Sequence, residues 1–568
     1  MVRTLSALAL LALSTSALAQ TDAPPAAAAT PAPTPMLDTA AINAPLPADQ
    51  AAMKAHVLFL ASDAMKGREA GSPEFDIAAQ YVAAQFYAAG LRPAGDKGGY
   101  LQTVPLVTYK AAAKGDMVWT ARRGSPQPLV FGEDFVPSAN PAAATTNVSA
   151  PVVFVGRGIV APQYAIDDYK GVDVRGKIVA IFAGAPETFG GEERAYFSSP
   201  ATKAWIAAQH GAIGIVTLDT PRAGPRARPF SALAQYYDSP RMTWANPDGT
   251  GTSPAPSAPY LGTISQAGAE KLFAGAKTPW TTIAAQAAGD NPTYRPVALD
   301  GTLTASTRTA FTPGASSNVI GVIPGADPVL GKEVVILSAH LDHIGVSPER
   351  PGQPAGADRI NNGALDNAIG IASLIEEAKK FTASGTPPKR TVMFLAVTGE
   401  EKGLVGSDFF ANHPTVPLKD IVADVNLDMP VLLYKFEDMI VFGADRSTLG
   451  PIVKAAVNAQ GVDLSPDPMP EQGFFVRSDH FNFVKKGIPS VFLWPGMKGE
   501  GRAKFEDFLS HRYHRPGDDL TQPILWDQGV RFVATNYAIA RQIADAPARP
   551  MWNKGDYFGT TYKGAMAK

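Results

Sequence analysis

Four stretches of this chain, EVVILSA (333–339), TVMFLAV (391–397), IVADVNL (421–427) and IPSVFLW (488–494), are almost unbroken apolar runs rich in β-branched residues. A strand with one wet face alternates polar and apolar residues, so these runs predict strands buried on both faces. Between the first two lies NAIGIASLIEEAKKF (367–381), where Ile371, Leu374, Ile375 and Ala378 recur at helical spacing. Hydrophobic strands alternating with helices predict an α/β domain whose sheet is covered by helices on both faces. Ligands in such sheets bind beyond the carboxyl ends of the strands, so chemistry is expected in the residues just after each run.

After the first run comes AHLDHIG, with His340, Asp342 and His343, and NNGALDNAIG then places Asp366 directly before the helix. VTGEEKGLVGS puts Glu400 and Glu401 beyond the second run, NLDMP puts Asp428 beyond the third, and HRYHRPGDD carries His511 and His514 in a later loop. Each has an ordinary explanation by itself: Asp366 suits a helix N-cap, and the others suit solvated turns. Their clustering is not ordinary, since five of the eight histidines (340, 343, 480, 511 and 514) fall in or near these loops. With no cysteine in the chain, a metal here must be held by His, Asp and Glu. Two imidazoles, His340 and His514, and three carboxylates, Asp366, Glu401 and Asp428, are more donors than one catalytic zinc uses. A pair of ions sharing one carboxylate is therefore expected. Such a pair lowers the pKa of a shared water from ~15.7 to about 7. Glu400, next to a ligand but outside the set, is placed to accept that water's proton and pass it to a leaving amine.

The 568 residues carry 50 Lys plus Arg against 52 Asp plus Glu, which gives no electrostatic case for nucleic acid or an anionic membrane as partner. Residues 1–19 have Arg3, an apolar stretch from Leu5 to Leu13 and an A-x-A end at Ala17 and Ala19. That pattern predicts a secretory signal peptide and a protein exported to the periplasm or the extracellular medium. No cysteine is present downstream to carry a lipid anchor, and no later run is long enough to span a bilayer. The Pro/Ala-rich residues 20–48 read as a linker. In SPEFDIAAQYVAAQFYAAGL, Ser72 is the expected N-cap, Pro73 the first turn and Gly90 the stop of a helix with Phe75, Ala79, Val82 and Phe86 on its apolar face. Residues 136–304 change to short β-branched runs between Gly and Pro, which predicts a β-rich module inserted between 49–135 and 305–550, with 551–568 as a tail. Gly156, Gly158 and Ala161 match a dinucleotide-binding spacing, but no clean βαβ unit surrounds them, and a glycine turn after a strand is the better reading.

In order, SAHLDHIG, NNGALDNAIG, VTGEEKGLVGS, NLDMP, SDHFNF and YHRPGDD resemble the motifs of the bacterial leucyl aminopeptidase family of co-catalytic two-zinc exopeptidases, over most of residues 50–545. The resemblance implies a three-layer α/β/α peptidase domain with a mixed central sheet, two Zn2+ per chain, and peptides with free N-termini as substrates. It implies that His340, Asp366 and Asp428 bind one zinc and that Asp366, Glu401 and His514 bind the other, with Asp366 bridging. Glu400 matches the family's proton shuttle, and Asp342 the carboxylate that orients the His340 imidazole. The β-rich section looks like a protease-associated domain, as in many exported members. Leu365 stands where many members have an acidic residue, Ile369 where they have a small one, and Arg515 where Thr is common.

The expected activity is removal of the N-terminal residue of peptides. A carboxypeptidase or dipeptidase would use the same motifs, and a glutaminyl cyclase of the same fold uses one zinc. A non-catalytic binding module would have lost ligands, and none of the five is missing. A serine hydrolase is disfavoured because the chain has no G-x-S-x-G motif. The inserted module is expected to cover the mouth of the site.

Overall fold

The computed structural model describes residues 43–220, 229–288 and 293–568, of which those from Pro45 onward form one compact unit. The predicted signal peptide and most of the predicted linker lie outside the described residues. Among the described residues, no helix is long and apolar enough to cross a membrane.

The four apolar runs are the strands Val334–His340, Thr391–Val397, Ile421–Leu427 and Ser490–Pro495. They lie parallel in the order 391–397, 334–340, 421–427, 490–495. Antiparallel neighbours make the sheet mixed: the second half of Val297–Ile323 and then Leu101–Ala111 on one side, Asp438–Phe442 on the other. Burial has the strand period of two. Val335, Leu337, Ala339, Val392, Phe394 and Ala396 share a core with the helices Ala48–Leu60, Pro73–Ala88, Ile369–Ala383 and Trp526–Asp545. Val334, Ile336, Met393, Leu395 and Val397 pack on the opposite face with Phe410 and Phe483, from the helices Val405–Asn412 and His480–Val484. Each large apolar side chain so buried contributes about 1.5–3 kcal/mol, which explains why these runs are mostly apolar on both faces; of the buried polar exceptions, Ser338 Oγ donates to Asp424 Oδ1 at 2.8 Å. The helix Pro73–Ala88 begins and ends on the predicted signals: Ser72 Oγ accepts from Phe75 N at 3.1 Å, and Gly90 takes a positive φ of 78°.

The residues between these elements build a second sheet with its own core. Thr145–Phe154, Ile178–Phe182, Gly214–Leu218 and Tyr260–Ile264 pair in parallel. Their apolar side chains join Trp119, Leu272 and Leu303 in a core drawn from Met117 to Ala305. This core includes the strand Asp116–Ala121, upstream of residue 136. Val297–Ile323 runs unbroken from this sheet into the first, mixed sheet, so residue 304 lies mid-strand. Gly156 and Gly158, both with positive φ, make the turn after 145–154. The last residues pack onto the domain: Trp552 is buried with its Nε1 donating to the Gly487 carbonyl at 2.8 Å, and Asp556 caps the helix Tyr557–Thr561.

Candidate metal and catalytic site

The parallel register gathers the candidate residues at one edge. The chain leaves 334–340 for 391–397 on one side and later enters 421–427 on the other, so the connections diverge there and open a crevice at the carboxyl ends. His340 is the last residue of its strand, Glu400 and Glu401 come just after 391–397, and Asp428 just after 421–427. Asp366 arrives from the loop before Ile369–Ala383, and His514 from the loop after the helix Gly501–His511.

His340 Nε2 lies 3.0 Å from Asp428 Oδ1 and 3.2 Å from Asp366 Oδ1. His514 Nε2 lies 3.3 Å from Asp366 Oδ2 and 3.1 Å from Glu401 Oε2. The two oxygens of Asp366 therefore face two different groups of donors. Neighbouring ligand atoms around a tetrahedral zinc with bonds of 2.0–2.1 Å are separated by about 3.3 Å, so both groups fit such an ion. The remaining Glu401 oxygen, Oε1, is buried and faces a further imidazole nitrogen, His343 Nδ1, at 2.7 Å. Asp366 is not the N-cap that its position allowed: its φ and ψ are −116° and 87°, and the side chain that accepts from the first turn of the 369–383 helix is Asn367, whose Oδ1 takes the Gly370 N–H at 3.1 Å.

His343 also enters this site, although the motif reading left it without a role. Its Nδ1 lies 2.7 Å from Glu401 Oε1 and 4.0 Å from Asp366 Oδ2, and its ring meets His514 edge-on at 5.7 Å. With Asp366 and Glu401 it forms a second donor group beside that of His340, Asp366 and Asp428. The signal was present as the second histidine of HLDH. The other two histidines stay apart: His511 is exposed and pairs with Asp507 at 3.0 Å, while His480 is buried against Phe475 and Phe492.

Burial opposes charge on all of these groups, and their mutual contacts outweigh it at four of them. Asp428 and Asp366 raise His340 well above the usual imidazole value, and Asp366 and Glu401 lift His514 to about 10. Against the same burial, His340 and His514 hold Asp366 well below the usual carboxyl value. Glu401 reaches about 2 against burial and the Asp366 charge, through His343 and His514. Glu400 moves the other way. Burial, reinforced by Asp428 and Glu401 and countered by His340, pushes it well above the ordinary value. Two adjacent glutamates are thus given opposite proton affinities, the usual mark of divided acid–base roles.

Asp342 works differently from the expected imidazole contact. His340 Nδ1 is 3.1 Å from the Asp342 carbonyl and 4.0 Å from its carboxylate, outside hydrogen-bond distance. The carboxylate instead accepts from the backbone N–H groups of Glu400 at 3.1 Å and Glu401 at 3.4 Å, pinning both glutamates. Three further supports were given no role by the motif reading, although Asn367 and Asp518 lie within NNGALDNAIG and YHRPGDD. Asp518 accepts from the N–H groups of Leu365 and Asp366, each at 3.0 Å. Asn367 joins the Asp366 loop to the Asp428 loop, donating to Leu427 O at 2.9 Å and accepting from Met429 N at 3.1 Å. The fully buried Arg68 donates to Leu341 O at 2.8 Å and Gly363 O at 2.7 Å, tying the loops of His340 and Asp366 together.

Beside this cluster lies a cavity of about 260 Å³, lined by His340, Asp366, Glu400, Asp428 and His514 on one side and by Met429, Phe474, Phe492, Trp494, Leu509 and Tyr513 on the other. Gln472, Arg477 and Ser478 complete the wall, and Ser478 Oγ donates to Asp428 Oδ2 at 2.6 Å. Among the described residues, none of 136–304 lines it.

Residues 318–540 match the model of peptidase family M28. A probable leucine aminopeptidase 2 of Aspergillus oryzae is 27% identical over 254 residues, covering 42% of this chain and 46% of the relative. Aminopeptidase YwaD of Bacillus subtilis is 26% identical over 214 residues, covering 37% and 41%. The chain thus spans about half the length of the curated relatives it matches. Among solved structures, an aminopeptidase from Aneurinibacillus sp. strain AM-1 aligns over 88% of this chain and 95% of its own, with 20% identity and a TM-score of 0.46. BSAP, a zinc aminopeptidase from Bacillus subtilis, aligns over 89% and 98%, with 18% identity and a TM-score of 0.42. The residues that match the family model, 318–540, contain every candidate site residue from His340 to His514.

Proposed function

We propose that this protein is an exported zinc aminopeptidase that hydrolyses the first peptide bond of substrates with a free N-terminus. The observation that carries the reading is the placement of the two Asp366 oxygens, one against His340 and Asp428 and the other against His514 and Glu401. In this reading His340, Asp366 and Asp428 hold one zinc, and Asp366, Glu401 and His514 hold the other. When bound, zinc supplies Lewis acidity that makes a water acidic near neutral pH and polarises a carbonyl. Glu400, held by its backbone on Asp342 and facing the cavity, takes the proton of the attacking water. The water oxygen bonds to the carbonyl carbon, the C–N bond breaks, and Glu400 returns the proton to the departing amine. The apolar wall of Met429, Phe492, Trp494 and Leu509 receives the side chain of the residue released. Export rests on the pattern of residues 1–19.

The test is mass spectrometry of a defined peptide mixture, with free and acetylated N-termini, after incubation with zinc-loaded protein. Stepwise loss from free N-termini alone is expected. Loss from C-termini would replace the reading with a carboxypeptidase, and intact peptides beside a protein that retains zinc would end it.

A further inference from the structure

The wall of the cavity that contains Gln472, Phe474, Arg477 and Ser478 is not part of the sheet or of a long helix. It is two short turns, Pro470–Gln472 and Phe474–Val476, joined at Gly473, whose φ is +61°. Such a segment has little regular hydrogen bonding of its own and depends on its neighbours for position. Its neighbour is the helix Gly191–Ser198 of the inserted module. The two backbones touch. A Cβ on Gly191 would fall on the Pro470 carbonyl, and a Cβ on Gly473 would strike that of Ala195.

Charge joins the same elements. Arg446 pairs with Glu192 and, at 3.1 Å, with Glu193, both on this helix, and with Asp556 of the last segment at 3.0 Å. All four side chains are at most 16% exposed. The Arg446 guanidinium also lies over the rings of Phe475, at 5.4 Å, and Phe558, at 4.9 Å. Tyr196, one turn further along the helix, meets Phe558 edge-on at 5.6 Å and Phe481 at 6.3 Å. Burying ions offsets much of what their attraction contributes, so the consequence of this network is register rather than net stability.

We propose that the 191–198 helix holds the 470–478 segment in place, so that the inserted module sets discrimination among N-terminal side chains without lining the cavity. Glu192, Glu193 and Arg446 are positioning residues in this scheme, and the inference rests on the aminopeptidase reading. The test compares wild type with the Glu192→Gln, Glu193→Gln double variant and with Glu193→Gln alone, which removes one contact and leaves the rest. Steady-state kinetics use Phe, Leu and Ala p-nitroanilides, and hydrogen exchange tracks the amides of 470–478. Expected is a rise in KM of roughly tenfold for Phe and Leu, with kcat, zinc content and the Ala substrate near wild type, and faster exchange in 470–478. Folded variants with wild-type KM across the series would overturn the proposal. If wild type itself released no N-terminal residue, the aminopeptidase reading would fail, and exchange would decide the contact alone: faster exchange upholds it and unchanged exchange overturns it.

Discussion

Each of the two sheets contains four adjacent parallel strands, yet among the described residues only one presents converging metal donors at its carboxyl edge. In the inserted sheet, the turn after Thr145–Phe154 is closed on itself: Asp168 accepts from Arg157 N at 3.0 Å and Ile159 N at 2.9 Å, and Lys203 donates to the Arg157 carbonyl. Its buried charges are used up in fixing backbone. In the peptidase sheet, the charged groups face one another across the crevice, and backbone is fixed by residues one step back, such as Asp342 and Asp518. Among the described residues, the groups of three or more donors both lie at this second edge. Strand polarity locates where a site can be, and chemistry depends on whether the carboxylates there are left free to bind something else.

The largest break in this contrast comes from Asp366→Asn, which removes the carboxylate shared by the two donor groups. Zinc content by atomic emission is expected to fall below that of wild type and peptide hydrolysis to reach background; full occupancy would show that Asp366 bridges nothing. Glu400→Gln is next in size, with metal content unchanged and kcat lowered about 10²–10⁴-fold, the range for loss of a general acid–base. Near-wild-type turnover would remove Glu400 from the reaction.

The contrast also predicts a pH signature. In the metal-free protein His514 is raised to about 10 and His340 well above its ordinary value, so both carry protons at pH 7 that zinc must displace. Zinc affinity is therefore expected to weaken as pH falls. Titration calorimetry in buffers of different ionisation heat reads the proton release, and heats independent of buffer would contradict it. For stability the signs are opposite at the two ends. The raised His514 stabilises the metal-free fold below pH 6.5 and loses that effect as pH rises through about 10. The lowered Glu401 stabilises it above pH 4.5 and loses that effect as pH falls through about 2. Melting of chelated protein should be highest between these limits. The smallest effect belongs to the inserted sheet: Asp168→Asn should cost about 1–3 kcal/mol of stability through weakened hydrogen bonds, with zinc content and kcat unchanged. A change in zinc content would show that the two edges are coupled.

Much of the site and fold was legible in the sequence, and the reasons differ by residue. The central strands could be read because a strand buried on both faces is mostly apolar, and the 73–88 helix because Ser72, Pro73 and Gly90 act through bonds only a few residues long. His340, Asp366, Glu401, Asp428 and His514 could be read because strand ends and motif order mark them. His343 stood in the same motif, but nothing local told its ring from a solvated one until Glu401 came within 2.7 Å. The expected contact between Asp342 and the imidazole was replaced by contacts to Glu400 and Glu401, since a spacing of two residues does not say which way a carboxylate turns. The expectation that the insert lies over the cavity met a different arrangement, in which its helix stands behind one wall.

By itself, then, the sequence determined the covered sheet and the strand-end loops that carry the candidate donors, because periodicity, capping and strand ends are properties of short segments. Only the tertiary structure decided that Arg68 reaches a carbonyl 273 positions away, that Asp518 holds the Asp366 loop, and that Arg446 joins the inserted helix to the last residues of the domain. Those contacts pair segments whose local patterns are unremarkable. They exist because folding buries polar groups from distant segments beside one another, and each must then find a partner.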